Sequence, residues 1–265
     1  MSCNEHEETY RGCKITLPSD DSPSSPREWC NVGTMVCWHR RYNLGDEQPK
    51  CGPDDYRREN IERATWNAEK ERREQEIRAD YLGQISVEPD EEIRLNLEQE
   101  MDESIDAVEG KMEDDTELCR RLFEKDHVAL PLYLYDHSGI TMSTGKFSCP
   151  WDSGQVGFIY CSLTKAREEW GEKHNPGITD EEIRAKAIEC LESEVKTYDS
   201  FIRGDVVGYV AKDPDGETID SCWGFYPDES GCHTWDEPIS QARLAVDNWH
   251  TQQTETATAT TACFI

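Results

Sequence analysis

A chain of 265 residues with a net charge of −28, from 56 acidic against 28 basic side chains, is long enough for one large or two modest domains with a real core. Its charge has the sign of nucleic acid and of anionic membranes, which disfavours nonspecific binding to either, and no apolar run approaches the roughly 18 residues of a membrane span. The same acidity favours solubility, basic partners, divalent cations, a surface that resembles nucleic acid, or a high-salt habitat. The opening stretch to Asp21 lacks the apolar region of a signal peptide, which predicts a cytoplasmic setting. There the 12 cysteines, none of them in a Cys-x-x-Cys pair, are expected as free thiols, several of them small core residues. Zinc-ligand spacing is absent.

Residues 1–27 read as irregular and polar, with "LPSDDSPSSP" having the composition of a surface loop or flexible leader. Val32, Met35, Val36 and Trp38 then predict a short apolar strand, with His39, Arg40, Arg41 and Tyr42 at its end. The two arginines are either forked donors for an anion or surface cations paired with nearby carboxylates.

Residues 52–126 have a different character. From Asp55 to Arg78 nearly every residue is a helix former, and Ile61, Trp66 and Ile77 are sparse apolar points. After Gly83, the sequence Glu88-Pro89-Asp90-Glu91-Glu92 suits a helix start, with acids at the positive end of the dipole. Ile93, Leu97, Met101, Ile105, Val108 and Met112 recur at steps of three and four, which predicts one amphipathic helix. Between Glu88 and Glu117 stand 14 acids against Arg94 and Lys111, a net −12 (2 minus 14). Such a run is either a solvated helix face or a phosphate-like docking surface for a basic protein. In the second reading Glu91, Glu92, Glu98, Glu100, Asp102, Glu103, Asp106 and Glu109 are the candidate partner-binding residues.

Residues 128–163 combine strand pattern, turn chemistry and reactive side chains. Leu130, Leu132 and Leu134 alternate with Pro131, Tyr133 and Tyr135, and Pro131 marks an edge or an unpaired start. Asp136-His137-Ser138-Gly139 supplies a turn to a short strand through Ile140 and Met142. A loop with Gly145, Pro150 and Gly154 leads to a third antiparallel strand carrying Val156, Phe158 and Tyr160. Further on, a short helix from Thr164 to Trp170 should close with Gly171 at the position after its C-cap. Thr179 and Glu182 form a capping box for a helix whose buried side is Ile183, Ala187, Leu191, Val195 and Tyr198. Asp213-Pro214-Asp215-Gly216 turns a second hairpin, and residues 237–249 predict a terminal helix. The low-complexity end, 251–265, reads as a disordered tail.

Three constellations carry possible chemistry. Cys149 or Cys222 with His137 or His233 and Asp136 or Asp220 would make a thiol nucleophile, base and orienter, although a buried, inert cysteine is the commoner case. His137, Asp152, Cys222 and His233 match no recognised metal-ligand spacing, so no metal is expected. Aromatic walls from Trp29, Trp38, Trp151 and Trp223, with polar groups such as Arg41 and Asp136, would suit a planar or anionic small ligand. The candidate ligand-binding residues are His39, Arg41, Asp136, His137, Trp151, Asp152, Gln155 and Trp223. Glycine-rich phosphate loops and nucleophile elbows are missing, so no cofactor is expected and the chain reads more as a binding protein than as an enzyme.

The segments "SPREWCNVGTMVCWHRRYNLGDEQP", "LPLYLYDHSGITMSTGKFSCPWDSGQVGFIY" and "DSCWGFY" resemble a family of proteins carried by phages, plasmids and integrated mobile elements of bacteria. The resemblance covers roughly half the chain and carries over no catalytic residue. The family commonly has Asp where this chain has Cys30, which argues against a thiol role there, and residues 52–126 are long for the family. What the resemblance implies is an accessory role in a mobile-element setting. The expected fold is α+β, a mainly antiparallel sheet from residues 28–48, 128–163 and 204–226 packed by helices 180–202 and 237–249. Its divisions are a leader with first strands (1–51), an acidic helical insertion (52–126), a core (127–250) and a tail (251–265). The expected function is binding and inhibition of a host factor, an anti-defence role through the acidic surface, with no direct nucleic-acid or membrane binding. The alternative is a nucleotide or small-molecule site at the loops of residues 136–155; a virion or assembly component is a third reading.

Overall fold

The computed structural model describes residues 6–171, 173–227 and 235–262. In chain order the strands are β1 (His6–Tyr10), β2 (Cys13–Leu17), β3 (Thr34–Cys37), β4 (His127–Asp136), β5 (Ile140–Ser143), β6 (Ser153–Ser162), β7 (Val207–Lys212) and β8 (Thr218–Phe225). The helices are α1 (Pro53–Glu59), α2 (Arg63–Val87), α3 (Glu91–Asp106), α4 (Val108–Asp114), α5 (Thr116–Asp126), α6 (Leu163–Trp170), α7 (Asp180–Arg203) and α8 (Asp236–Ala262). The fold is α+β with two antiparallel sheets, ordered β1-β2-β7-β8 and β3-β6-β4-β5. The chain divides into two units, one of Met1–Asn31, Leu132–Val156 and Leu191–Ile265, the other of Val32–Pro131 and Gly157–Cys190. Among the described residues no helix is long and apolar enough to cross a membrane.

In the first unit the polar opening stretch is a hairpin rather than an irregular leader. Arg11 and Gly12, with φ of 49° and 84°, make the two-residue turn that a tight hairpin requires. Cys13, Ile15 and Leu17 point inward from β2 and are buried, while Lys14 and Thr16 alternate outward, the period of a half-buried strand. Residues 204–226 join this strand and not the central ones: β2 pairs with β7, and β7 with β8. Tyr209 and Ala211 of β7 complete the core with Ala242 and Val246 of α8. Full burial of a side chain such as Ile15 contributes about 1.5–3 kcal/mol. The end of the chain also differs from expectation, because α8 continues through Ala262. The hydroxyls of Thr251 and Thr254 donate to the carbonyls of Asp247 and His250 at 3.0 and 2.9 Å, an alternative to water for polar residues inside a helix.

The second unit is organised around aromatic side chains. Tyr56 of α1 and Phe123 of α5 pack against Val36 of β3 and Phe158 of β6, with Trp38 and Tyr160 alongside. Val108, Met112, Leu118 and Leu122 form a second cluster with Trp66 and Ile77 of α2. Residues 52–126 are therefore not uniform: α1, α4 and α5 contribute buried core, whereas α2 and α3 have no buried residue. The predicted single helix over Ile93–Met112 breaks at Ala107, which closes α3 and opens α4. Burial follows that break, since only Val108 and Met112 of the stripe reach the core.

Several local expectations hold. Thr179 and Glu182 exchange capping hydrogen bonds, Glu182 N to Thr179 Oγ1 at 3.2 Å and Thr179 N to Glu182 Oε2 at 2.8 Å, and all five predicted stripe residues of α7 are buried. β4 lies between β6 and β5 and so is not an edge strand; β5 pairs with it only from Tyr133 to Asp136, so Pro131 needs no partner on that side. Gly171 closes α6 with extended rather than left-handed backbone (φ −66°, ψ −172°). Glycine is required there because a Cβ would lie 2.1 Å from the Arg167 carbonyl oxygen.

Candidate functional site

The loops after β4 and before β6 bring together part of the predicted ligand set. Ser138 adopts a positive φ of 58°, and His137 N donates to Gly139 O at 3.0 Å, which closes the turn. Asp136 N donates to the Asp152 carbonyl at 2.8 Å, so the two loops are tied by backbone. On this frame His137 Nδ1 lies 3.3 Å from Asp152 Oδ2, and the Cys149 thiol lies 3.8 Å from the same oxygen. The hairpin is anchored beneath, where Thr141 Oγ1 and Met142 N both donate to Asp199 Oδ1 at 2.6 Å.

This cluster lies on the surface. His137 and Asp152 are 63% and 40% exposed in their side chains, a setting in which an ion pair is worth about 0–1 kcal/mol. Cys149 and His137 approach the same carboxylate rather than each other, so His137 is not placed as the general base of a Cys149 nucleophile; the thiol–imidazole contact among the described residues is elsewhere, Cys13 Sγ to His250 Nε2 at 3.9 Å with the thiol buried. Trp151 is 91% exposed and Gln155 is exposed, so neither forms an enclosed wall of the kind that ligand pockets use. Trp223 belongs to β8 and lies over Gly208 of β7, where a Cβ would come within 2.3 Å of its ring. Asp220 accepts a hydrogen bond from the Tyr209 hydroxyl at 2.7 Å. Among the described residues no group of three or more His, Cys, Asp or Glu side chains is placed to hold a metal ion. Cys232 and His233 lie outside the described residues.

His39 and Arg41 belong to the second unit, in the turn after β3. His39 Nδ1 accepts from Arg41 N and Tyr42 N at 3.3 and 3.1 Å, so that nitrogen shapes the turn. The Tyr42 ring stacks on the imidazole at 5.0 Å, and the Arg41 guanidinium lies 5.4 Å from the Tyr42 ring centre.

The acidic hairpin of α2 and α3 has the clearer electrostatic structure. Within α2, Glu69 accepts from both Arg72 and Arg73, and the Arg72 hydrogen bond leads the effects that hold its carboxyl at about 2, well below the usual range. Glu76 pairs with Arg72, and Lys70 reaches Glu109 at 2.6 Å, so Glu109 of the predicted partner-binding set already has a cation. In α3, Asp90 caps the first turn by accepting from Glu92 N and Ile93 N at 2.9 and 3.3 Å, and Glu91 and Glu92 suit that end of the dipole.

The rest of α3 is charged against its own helix. Glu98, Glu100, Asp102, Glu103 and Asp106 crowd its C-terminal half, and its last turn has no basic residue. Acids there oppose the dipole, and Glu98–Asp102 and Asp102–Asp106 are like-charge pairs at i,i+4. Among the described residues none of the seven α3 carboxylates, nor Arg94, forms an ion pair; Glu103 accepts only from Gln99, at 2.8 Å. α3 is held instead through half-buried Leu97, Met101 and Ile105 and through Tyr81 Oη to Ser104 Oγ at 3.4 Å.

A third feature was not read from the sequence. Around the closed end of the hairpin, Leu82, Val87, Ile93 and Leu95 are 56%, 81%, 46% and 61% exposed. Leu95 was the visible signal, because it falls outside the three-and-four stripe of α3. No family model, no curated protein and no solved structure matches the chain.

Proposed function

We propose that this chain is a noncatalytic accessory protein of a phage or other mobile element, which binds a host factor through the acidic face of α3 and blocks it. The expected target is a defence component whose basic surface ordinarily holds nucleic acid, so that α3 competes as a row of fixed negative charge. One observation carries this reading: among the described residues the α3 carboxylates have no cation partner, and those of its C-terminal half oppose their own helix dipole. Functional sites are among the places where a local stability rule is broken. Complementary charge also speeds encounter and selects a cationic partner. The mobile-element setting comes from the family resemblance of the central segments.

The test is affinity capture from bacterial host lysate on the immobilised full chain, at low and moderate salt, followed by elution with double-stranded DNA. The expected result is a basic, nucleic-acid-binding protein that DNA displaces. Recovery of no such protein at either salt would overturn the reading.

A further inference from the structure

The β1-β2-β7-β8 sheet carries different chemistry on its two faces. Cys13, Ile15, Tyr209 and Ala211 pack toward α8, so by strand alternation Lys14, Thr16, Val210 and Lys212 point the other way. The register sets these residues in rungs: Lys14 lies opposite Lys212, Thr16 opposite Val210, and Val210 opposite Ser221. At the next position of this face along β7, the Trp223 ring covers Gly208, where a Cβ would come within 2.3 Å of it. A register shift between Val207 and Tyr209, with Gly224 at a φ of 86°, sets that ring onto the sheet. Bulges of this kind re-aim side chains beside sites.

Two features of this face exceed what the sheet itself needs. Covering the Gly208 backbone uses one side of the indole, and Trp223 is still 49% exposed. Lys14 and Lys212, both exposed, are like charges directly opposite one another, an arrangement that destabilises a sheet. They stand so in a chain with twice as many acids as bases. Lys14 pairs with Glu7 at 2.9 Å, and Lys212 makes no ion pair among the described residues. Acids close to it in sequence are turned elsewhere. Asp213 accepts from Asp215 N and Glu217 N, and Asp220 accepts from the Tyr209 hydroxyl.

An aromatic platform and two cations on one open face suit a ligand with a planar ring at one end and negative charge at the other. Their separation narrows the choice. Four residue steps of β7, roughly 13 Å, lie between the indole and the lysine rung. Even with the lysine side chains leaning inward, that span suits a ring followed by a chain of phosphates rather than a ring with one. A polynucleotide is disfavoured, because its remaining length meets a protein of net charge −28. A small ligand meets chiefly the cations beside it, since more distant charges are screened.

We infer that this face of the first unit binds a nucleoside triphosphate, with the base stacked on Trp223 and the phosphate chain held by Lys212 and Lys14. Thr16 and Ser221 stand on the rung between, at the level of the sugar. Stacking accepts any base, because every base has a π-face, so the site selects for the triphosphate and not for one nucleobase. It uses no residue of α3 and stands or falls separately from the blocking role.

The experiment follows the anisotropy of ATP labelled on its ribose, titrated with the full chain at about 150 mM salt. A chelator is present so that no metal ion bridges the phosphates to surface carboxylates. Wild type should bind with a Kd below about 1 mM, and unlabelled ATP should displace the probe at least about fivefold more effectively than AMP or tripolyphosphate. Trp223→Ala should weaken binding about tenfold and Lys212→Gln about fivefold. Glu7→Gln releases Lys14 and should tighten binding about twofold. Circular dichroism checks folding. Lys212→Gln and Glu7→Gln alter exposed side chains only, which keeps the test open if Trp223→Ala, by uncovering Gly208, does not fold.

No binding at about 1 mM protein, or unchanged binding by folded Trp223→Ala or by Lys212→Gln, would overturn the inference. So would tripolyphosphate displacing the probe as well as ATP does, which would leave the indole without a role. Tighter binding of an oligothymidine than of ATP would overturn it too, in favour of a single-strand surface.

Discussion

α2 and α3 run side by side and are both rich in charge, yet they use it in opposite ways. α2 carries five basic and five acidic residues, and its pairs Glu69–Arg72, Glu69–Arg73 and Arg72–Glu76 lie along its own surface at i,i+3 and i,i+4. Such pairs support a helix by about 0.2–0.5 kcal/mol each. α3 carries seven acids against Arg94, and the same spacing rule there produces repulsion. One helix is closed electrostatically and the other is open. A charge-rich helix is thus a statement about composition only; whether it is a solvated face or a docking face depends on where the countercharge lies.

The largest expected effect concerns what holds this pair in place. Phe123 is fully buried in the aromatic cluster at the base of the helices, and Phe123→Ala should cost about 3–5 kcal/mol in urea unfolding. Replacing the exposed Val87 by Gln should cost under about 1 kcal/mol, because it removes no buried side chain. Comparable losses from both changes would mean that the tip is part of the core.

The next effect tests the open helix directly. Neutralising Glu98, Glu100, Asp102, Glu103 and Asp106 should stabilise the protein by about 1–2 kcal/mol, since four like-charge contacts at i,i+3 or i,i+4 are relieved. In α2 the sign reverses: Glu69→Gln should destabilise by up to about 1 kcal/mol. Urea midpoints of the two variants, measured together, would remove the contrast if they moved in the same direction.

Acid should act on the base and on α2, each through a known group. His127 stacks on Phe123, and its Nδ1 lies 2.9 Å from the Phe123 carbonyl oxygen; burial holds its imidazole below the ordinary value of 6.5. The unfolded chain therefore binds this proton more readily, so the contribution is complete above about pH 6.5 and is lost as pH falls below it. His127→Gln should flatten the fall in urea midpoint between about pH 7 and pH 5.5. Glu69 acts lower on the scale: its depressed carboxyl contributes above 4.5, and this is lost as pH falls toward about 2. The smallest effect belongs to the exposed loops, where His137→Ala or Asp152→Ala should change stability by less than about 1 kcal/mol.

How much of this was legible varies with how local the cause is. The α7 helix was readable residue by residue because its capping box and stripe are set within a few turns, and Asp213–Gly216 was readable because the Asp213 carboxylate accepts from Asp215 N and Glu217 N. β1 and β2 were missed because their outward faces carry Glu7, Lys14 and Thr16 and only one side of β2 is apolar, so mean polarity concealed the alternation. The split into two sheets was hidden because the pairing of β2 with β7 joins residues almost two hundred apart in sequence. For the candidate site, the acidic face of α3 was plain in the sequence. Its missing countercharges and the exposed tip were not, since both depend on which side chains α2 places opposite.

The central claim is that the α3 carboxylates are left open for a cationic partner, and the most direct measurement is capture from host lysate by the α3-neutralised variant beside wild type. Wild type should retain a basic, nucleic-acid-binding protein, and the neutralised variant, folded and more stable, should retain none of it. Equal recovery of that protein on both would mean that the α3 carboxylates do not hold it.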